Sequence, residues 1–185
     1  MIWRGPSLED GVDAQARIID FYIQQKYSGI ILAPNSPIKL NKAIQEANKK
    51  GIKVVIVDSP LAKQNSLPYV GTNNKEAGAL AAVQAAKDFP LVKKILLFRY
   101  SPQHGSTAER EKGFLGAIRK QLPHAEIIDS QYAGITEQEA ESNMHSILAR
   151  MPDIELIFTP NESSTEGTVR ALKAKNLAGK IHHYG

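Results

Sequence analysis

The chain has 185 residues, of which 42% are hydrophobic and 23% are charged, and its formal net charge is +4. This composition is that of a globular protein and argues against disorder. The absence of cysteine excludes disulfides, thiolate catalysis and cysteine-bound metals. The lysines are dispersed rather than gathered in a stripe with aromatics, so we expect no nucleic-acid partner.

Short apolar runs alternate with helical stretches along the chain. The runs predict strands at 29–33, 54–57, 95–98, 126–129 and 155–159, with a minor strand at "YVG". Such alternation predicts βαβ units and parallel sheets. No apolar run reaches the roughly 18 residues of a membrane span, and we expect no signal peptide in the first ten residues. The helical stretches are "DAQARIIDFYIQQK", "LNKAIQEANKKG", "NKEAGALAAVQAAKD", "AEREKGFLGAIRKQL", "TEQEAESNMHSILARM" and "STEGTVRALKAKNL".

Local signals predict several helix ends. Gly51 is typical of a helix C-terminus, and the third helix is expected to start at Asn73 or Asn74. A serine or threonine followed three residues later by glutamate predicts a capping box. This spacing occurs at Ser106 with Glu109, at Thr136 with Glu139, and at Ser163 with Glu166.

Arg110 then falls in the first turn of its helix, where a positive charge is mildly unfavourable. Two interpretations remain open. Arg110 either pairs with Glu109 or Glu111 or lies in solvent, or its guanidinium points into a cleft and binds a ligand.

Polar residues follow each predicted strand, and ligands of parallel α/β folds bind beyond the carboxyl ends of the strands. Each residue alone is as readily explained by a turn or a helix cap, but together they favour a binding cleft. These positions are Pro34 and Asn35, Asp58 and Ser59, 99–104, 130–135 and 160–162.

The sequence offers little support for catalysis. It lacks a dinucleotide-binding glycine motif, a Walker-type phosphate loop and a nucleophile elbow. His182 and His183 are adjacent on a predicted strand, so they face opposite sides and are poorly placed to share a metal. We therefore expect a binding protein rather than an enzyme, with no cofactor and no metal.

The single tryptophan, Trp3, is expected to end a strand and to pack under the next helix.

The order of several motifs resembles the type 1 periplasmic sugar-binding proteins, which are the ribose- and galactose-binding-like receptors of ABC importers. These proteins share their core with the effector domains of LacI-type regulators. The resemblance runs over essentially the whole chain and rests on "GIILAPNS", "GIKVVIVDSP", "YVGTNNKEAGALAA", "STAEREKGFLGAI", "MPDIELIFTPNE" and a final strand ending in "YG".

The resemblance implies a site for sugar hydroxyls between two lobes. The aspartate of the family falls on Asp58 with Ser59 beside it, the cleft arginine on Arg110, and the asparagine of the "NDE" motif on Asn161. Asn35 and Ile135 complete the candidate ligand-binding set. The chain departs from the family at Ser59, where many relatives have arginine. It also departs in the loop "YAGIT", where the family often has an aromatic that stacks on the sugar and this chain has Ile135, with Tyr132 nearby.

The resemblance also implies two doubly wound α/β lobes, a partial N-terminal lobe at 1–72 and a C-terminal lobe at 73–185 that lacks its last elements. Unpaired sheet edges in the incomplete first lobe would favour a homo-oligomer. The expected function is that of a periplasmic or extracellular solute-binding component that delivers a sugar or polyol to the membrane permease of an ABC importer. The alternatives are the effector core of a LacI-type regulator and the sensory domain of a membrane kinase.

Overall fold

The computed structural model describes residues 1–8, 10–63 and 67–185. The chain divides into two compact units. Unit 1 comprises residues 1–72 with 103–106, and unit 2 comprises residues 73–102 with 107–185. Each unit has a parallel sheet of its own.

Unit 1 is a small three-stranded sheet with helices on one face. Its strands pair in parallel in the order β1-β2-β3. The side chains of Ile30, Leu32, Val54 and Ile56 form a core with the apolar faces of the two helices. The elements are α1 (Val12–Gln24), β1 (Gly29–Leu32), α2 (Asn41–Lys49), β2 (Lys53–Val57) and β3 (Tyr69–Val70).

The other face of this sheet is open among the described residues. Burial alternates along β1, so that Ile31, between the buried Ile30 and Leu32, is 69% exposed. Val70 on β3 is 66% exposed. Among the described residues, helices therefore cover only one face of the sheet in unit 1.

Unit 2 is a doubly wound sheet. Its four parallel strands have the order β5-β4-β6-β7, so the first strand lies between the second and the third, as in flavodoxin-like folds. The elements are α3 (Asn74–Asp88), β4 (Lys94–Arg99), α4 (Gly105–Gln121), β5 (Glu126–Tyr132), α5 (Glu137–Arg150), β6 (Leu156–Phe158), α6 (Glu162–Ala174) and β7 (His182–Tyr184).

The alternation of side chains along β4 explains why helices pack on both faces of this sheet. Ile95 and Leu97 pack in the cluster formed with α3 and α4. Leu96 and Phe98 point to the opposite face and pack in the cluster formed with α5 and α6. A strand that is apolar on both faces needs helices on both, and unit 2 provides them.

Several predicted helix ends are confirmed. Thr136 and Glu139 form a complete capping box, and the side chain of Asn73 caps α3 by accepting from the N–H of Glu76. Gly51 follows α2 with a φ of 79°, and its N–H donates to the carbonyl of Asn48 at 2.9 Å. This left-handed residue ends the helix as its sequence predicts.

Two predicted capping boxes are wrong. Helix α4 begins at Gly105, so Ser106 lies inside the helix and its Oγ is 3.2 Å from Ser59 Oγ. Asn161 occupies the N-cap position of α6, so Ser163 also lies inside its helix. Arg110 is consequently in the second turn of α4 rather than in the first.

The N-terminal residues differ from expectation. No strand is assigned among the described residues before β1, and Trp3 is 90% exposed, so its predicted strand and packing are both wrong.

No helix in the described part of the chain has both the length and the apolar character that a membrane-spanning helix needs.

Candidate functional site

Asp58 follows β2 in a backbone conformation that is uncommon for residues with a Cβ and that aspartate adopts more often than most of them. Its φ is 61°, in the left-handed region where a Cβ is crowded. The N–H of Ser59 donates to the carbonyl of Val57 at 2.7 Å, so the chain makes a tight three-residue turn centred on Asp58. Strained residues of this kind cluster at ligand-binding sites.

The polar groups of Asp58 are fixed by its neighbours in unit 1. Its N–H donates to the carbonyl of Val70 at 3.0 Å, and its own carbonyl accepts from the phenol of Tyr69 at 2.8 Å. The hydroxyl of Ser59 donates to Asp58 Oδ2 at 2.9 Å. The carboxylate is exposed, and its direction is set before any ligand arrives.

Asn35 lies at the carboxyl end of β1, next to the strand that leads to Asp58. Gln15 on α1 accepts from the N–H of Asn35 at 2.8 Å and donates to the carbonyl of Ala33 at 2.7 Å. Gln15 was not predicted as a site residue from the sequence. The sequence does hold a clue to Gln15, because it is a polar residue on the buried face of an amphipathic helix. A buried amide is stable there only when it is hydrogen-bonded.

In unit 2, Arg110 joins two other elements to α4. Its Nη1 donates to the carbonyl of Pro160 after β6, and its Nη2 donates to Asn74 Oδ1 at 2.6 Å at the start of α3. Glu109 instead pairs with Lys112, and Glu111 with Arg99. The interpretation of Arg110 as a solvent-exposed or locally paired residue is therefore wrong.

Two glycines let α3 and α4 approach closely beside Arg110. A Cβ at Gly78 would lie 1.9 Å from the carbonyl oxygen of Arg110, and a Cβ at Gly113 would lie 1.9 Å from that of Lys75. Asn74 and Gly78 are one turn apart on α3 and lie on the same helix face. This face therefore contacts Arg110 twice, at its side chain through Asn74 and at its backbone carbonyl through Gly78.

Glu111 begins a chain of hydrogen bonds that reaches Ile135. Its Oε1 accepts from the N–H of Tyr100 at 2.9 Å, and the phenol of Tyr100 donates to the carbonyl of Ile135 at 3.2 Å. The N–H of Ile135 donates to Glu139 Oε2 at 2.8 Å. Burial raises the pKa of Glu111 against the opposing effects of the Tyr100 N–H and Arg99. Neither Glu111 nor Tyr100 was predicted as a site residue from the sequence.

The side chain of Asn161 is folded toward α6. Its Oδ1 accepts from the hydroxyl of Ser164 at 2.6 Å, and its Nδ2 donates to Ser163 Oγ at 3.1 Å. Ser164 is fully buried, so it holds the amide in one orientation. Asn161 Oδ1 and Nδ2 each keep further hydrogen-bonding capacity, because an amide oxygen accepts twice and an amide nitrogen donates twice.

Each unit gathers its own predicted residues at the carboxyl end of its sheet. Asn35 and Asp58 follow neighbouring strands in unit 1. In unit 2, Arg110 bonds directly to the residue before Asn161, next to the ends of the adjacent β4 and β6. These two strands flank the topological switch point, where α/β folds bind ligands. Ile135 follows β5.

The chemistry of these groups is that of polyol recognition. A carboxylate accepts from hydroxyls, a guanidinium donates in a fixed fork, and an amide does both. The described residues contain no group of three side chains that could hold a metal ion.

Comparison with known proteins identifies the family. The family model described as "Periplasmic binding protein domain" matches residues 2–185. The chain belongs to the periplasmic binding proteins. Its relatives include the ribose import binding protein of Bacillus subtilis (strain 168), with 25% identity over 166 residues covering 90% of this chain and 52% of the relative.

Solved structures of periplasmic binding proteins agree with this assignment. An ABC transporter solute-binding protein from Agrobacterium vitis with bound D-fucose superposes with a TM-score of 0.92 at 30% identity, covering 98% of this chain and 63% of that one. A protein from Actinobacillus succinogenes 130z with bound D-allose has a TM-score of 0.89 at 27% identity, covering 100% of this chain and 66% of that one.

These comparisons confirm the predicted family and its α/β fold class. The chain spans about half the length of the curated relatives it matches. Membership in a family of binding proteins also agrees with the prediction that the chain is not an enzyme. The roles of Asp58, Ser59, Arg110, Asn161, Asn35 and Ile135 in ligand binding remain predictions.

Proposed function

We propose that the chain binds a sugar or polyol as part of the solute-binding component of an ABC-type importer. The observation that carries this proposal is its likeness, at a TM-score of 0.92 and 30% identity, to a solute-binding protein with bound D-fucose. The D-allose complex of a second relative supports the same class of ligand.

The proposed contacts follow from the polar groups at the strand ends. Asp58 accepts hydrogen bonds from sugar hydroxyls, and Ser59 orients its carboxylate. Two of the five N–H groups of Arg110 bond to Pro160 and Asn74, so each terminal nitrogen keeps a second N–H for a ligand oxygen. Asn161 and Asn35 contribute amides, and Ile135 contributes an apolar surface. No bond of the ligand is broken in this proposal.

The proposed partners follow from the family. The ligand is passed to the membrane permease of an ABC importer, and the protein acts in the periplasm or outside the cell. Two relatives support this location by name, as an ABC transporter periplasmic-binding protein and a D-xylose-binding periplasmic protein. We further propose self-association through the open sheet of unit 1, where Ile31 is exposed on the edge strand.

Calorimetric titration of the chain with D-ribose, D-allose, D-fucose, D-xylose and ribitol tests the proposal. We expect at least one of them to bind and to raise the unfolding temperature. A ligand present at 100 times its Kd adds about 2.7 kcal/mol to the free energy of unfolding. The proposal is wrong if none of these compounds releases heat of binding or shifts the unfolding temperature at millimolar concentration.

A further inference from the structure

The strained turn at Asp58 is held by the short strand beside it. β3 pairs with the end of β2, with Tyr69 opposite Ile56 and Val70 opposite Val57. Beyond this pairing, the carbonyl of Val70 accepts from the N–H of Asp58, and the phenol of Tyr69 donates to the carbonyl of Asp58. Two consecutive residues of β3 therefore bind the backbone of Asp58 on both sides.

Gly71 provides the space for this arrangement. A Cβ at position 71 would lie 2.2 Å from Tyr69 Oη and 3.0 Å from the carbonyl oxygen of Asp58. Only glycine leaves room for the phenol to reach that carbonyl. Burial, and secondarily the charge of Asp58, raises the pKa of Tyr69, which keeps its hydroxyl protonated and able to donate.

The hydrogen bond from Tyr69 matters because the conformation that it holds is intrinsically unfavourable. Positive φ costs free energy in any residue with a Cβ, so losing a hydrogen bond that holds this conformation favours negative φ at Asp58. Such a relaxation would rotate the Cα–Cβ bond and carry the carboxylate away from the direction that Ser59 supports. Loss of the single hydrogen bond to the carbonyl of Asp58 would thereby displace its side chain.

We propose that Tyr69 is a positioning residue for sugar binding, which acts by holding the left-handed turn that aims the carboxylate of Asp58. The inference rests on the proposed sugar-binding function. The Tyr69 phenol bonds to the backbone carbonyl of Asp58 and not to its carboxylate, so it contributes to affinity only by positioning that carboxylate.

The substitution Tyr69→Phe tests the inference because it keeps the ring and removes only the hydroxyl. Calorimetric titration with D-ribose, D-allose and D-fucose should show a roughly 5- to 10-fold weaker affinity for whichever sugar the wild type binds. Tyr27→Phe is the matched control, because Tyr27 precedes β1 at the opposite end of the same sheet. Its affinity should equal that of the wild type.

A second measurement needs no sugar. The nuclear Overhauser effect between the amide and α protons of Asp58 is strong at positive φ. It should weaken in Tyr69→Phe and stay unchanged in Tyr27→Phe, with both variants still unfolding cooperatively. An unchanged Asp58 signal overturns the inference, as does an unchanged affinity where the wild type binds. If the wild type binds none of the sugars while the signal weakens, the proposed function fails and Tyr69 still holds the turn.

Discussion

At the scale of single residues, two positions with positive φ differ in what they do. Asp58 has a φ of 61° within the candidate site, and Lys26 has a φ of 56° after the end of α1. A left-handed conformation costs a non-glycine residue roughly 1–2 kcal/mol. At Lys26 the conformation only ends a helix, whereas at Asp58 we propose that it presents a carboxylate to a ligand.

Replacing either residue by glycine should therefore stabilise the chain, with different consequences for binding. Asp58→Gly and Lys26→Gly should each raise the free energy of unfolding by about 1 kcal/mol, measured by urea denaturation. Asp58→Gly should lose sugar binding in calorimetry, whereas Lys26→Gly should keep it. Retention of wild-type affinity by Asp58→Gly would remove Asp58 from the site.

His183 gives a residue-scale prediction about pH. Burial lowers the pKa of His183 to about 4, and its Nε2 lies 2.9 Å from Thr159 Oγ1. The unfolded chain, with a histidine pKa near 6.5, binds more protons between pH 6.5 and 4. Stability should therefore fall as the pH decreases through this window, by at most about 3 kcal/mol from this residue.

The substitution His183→Gln keeps a hydrogen-bonding group and removes the titration. Urea denaturation at pH 7 and pH 5 should show a smaller loss of stability for His183→Gln than for the wild type. His124→Gln is the control, because His124 is exposed and its replacement should leave the pH dependence unchanged. Equal losses for His183→Gln and the wild type would contradict the account.

At the scale of elements, the crossing of α3 and α4 places Arg110. Gly78→Ala puts a methyl group into the carbonyl of Arg110 and should cost about 1–3 kcal/mol of stability as the helices separate. It should also weaken sugar binding. Gly116→Ala on α4 is the control, because a Cβ there meets nothing within 4 Å and should stabilise the helix by about 0.5–1 kcal/mol. Equal stability of the two variants in urea denaturation would refute this role of Gly78.

The elements that could be predicted well from the sequence are those set by residues close together in the chain. The capping box at Thr136 involves only residues that are close in sequence. The unbroken apolar run of β4 predicts a strand that is buried on both faces, as the structure shows. Ser106 has the same spacing as Thr136 but lies near Ser59, 47 residues away in sequence. Gln15 and Tyr69 could not be predicted from spacing either, because their partners are distant in sequence. Gln15 on α1 bonds to the segment that follows β1, and Tyr69 on β3 bonds to the turn that follows β2.

At the scale of the whole molecule, the open sheet of unit 1 predicts self-association. Ile31→Lys puts a charge on the exposed face of the edge strand and should shift the chain toward the monomer in light scattering at micromolar concentration. Ile38→Lys is the matched control, since Ile38 is 64% exposed but lies outside the strands. A wild-type chain that is already monomeric would contradict the prediction.

The proposed sugar site of this periplasmic binding protein depends most on Arg110. The most direct measurement is calorimetric titration of Arg110→Lys, which keeps the charge and loses the fork of donors. Arg119→Lys on the same helix is the control, because Arg119 is 58% exposed and pairs with Asp129. We predict a loss of affinity of about 10- to 100-fold for Arg110→Lys and none for Arg119→Lys. Wild-type affinity in Arg110→Lys would contradict the account.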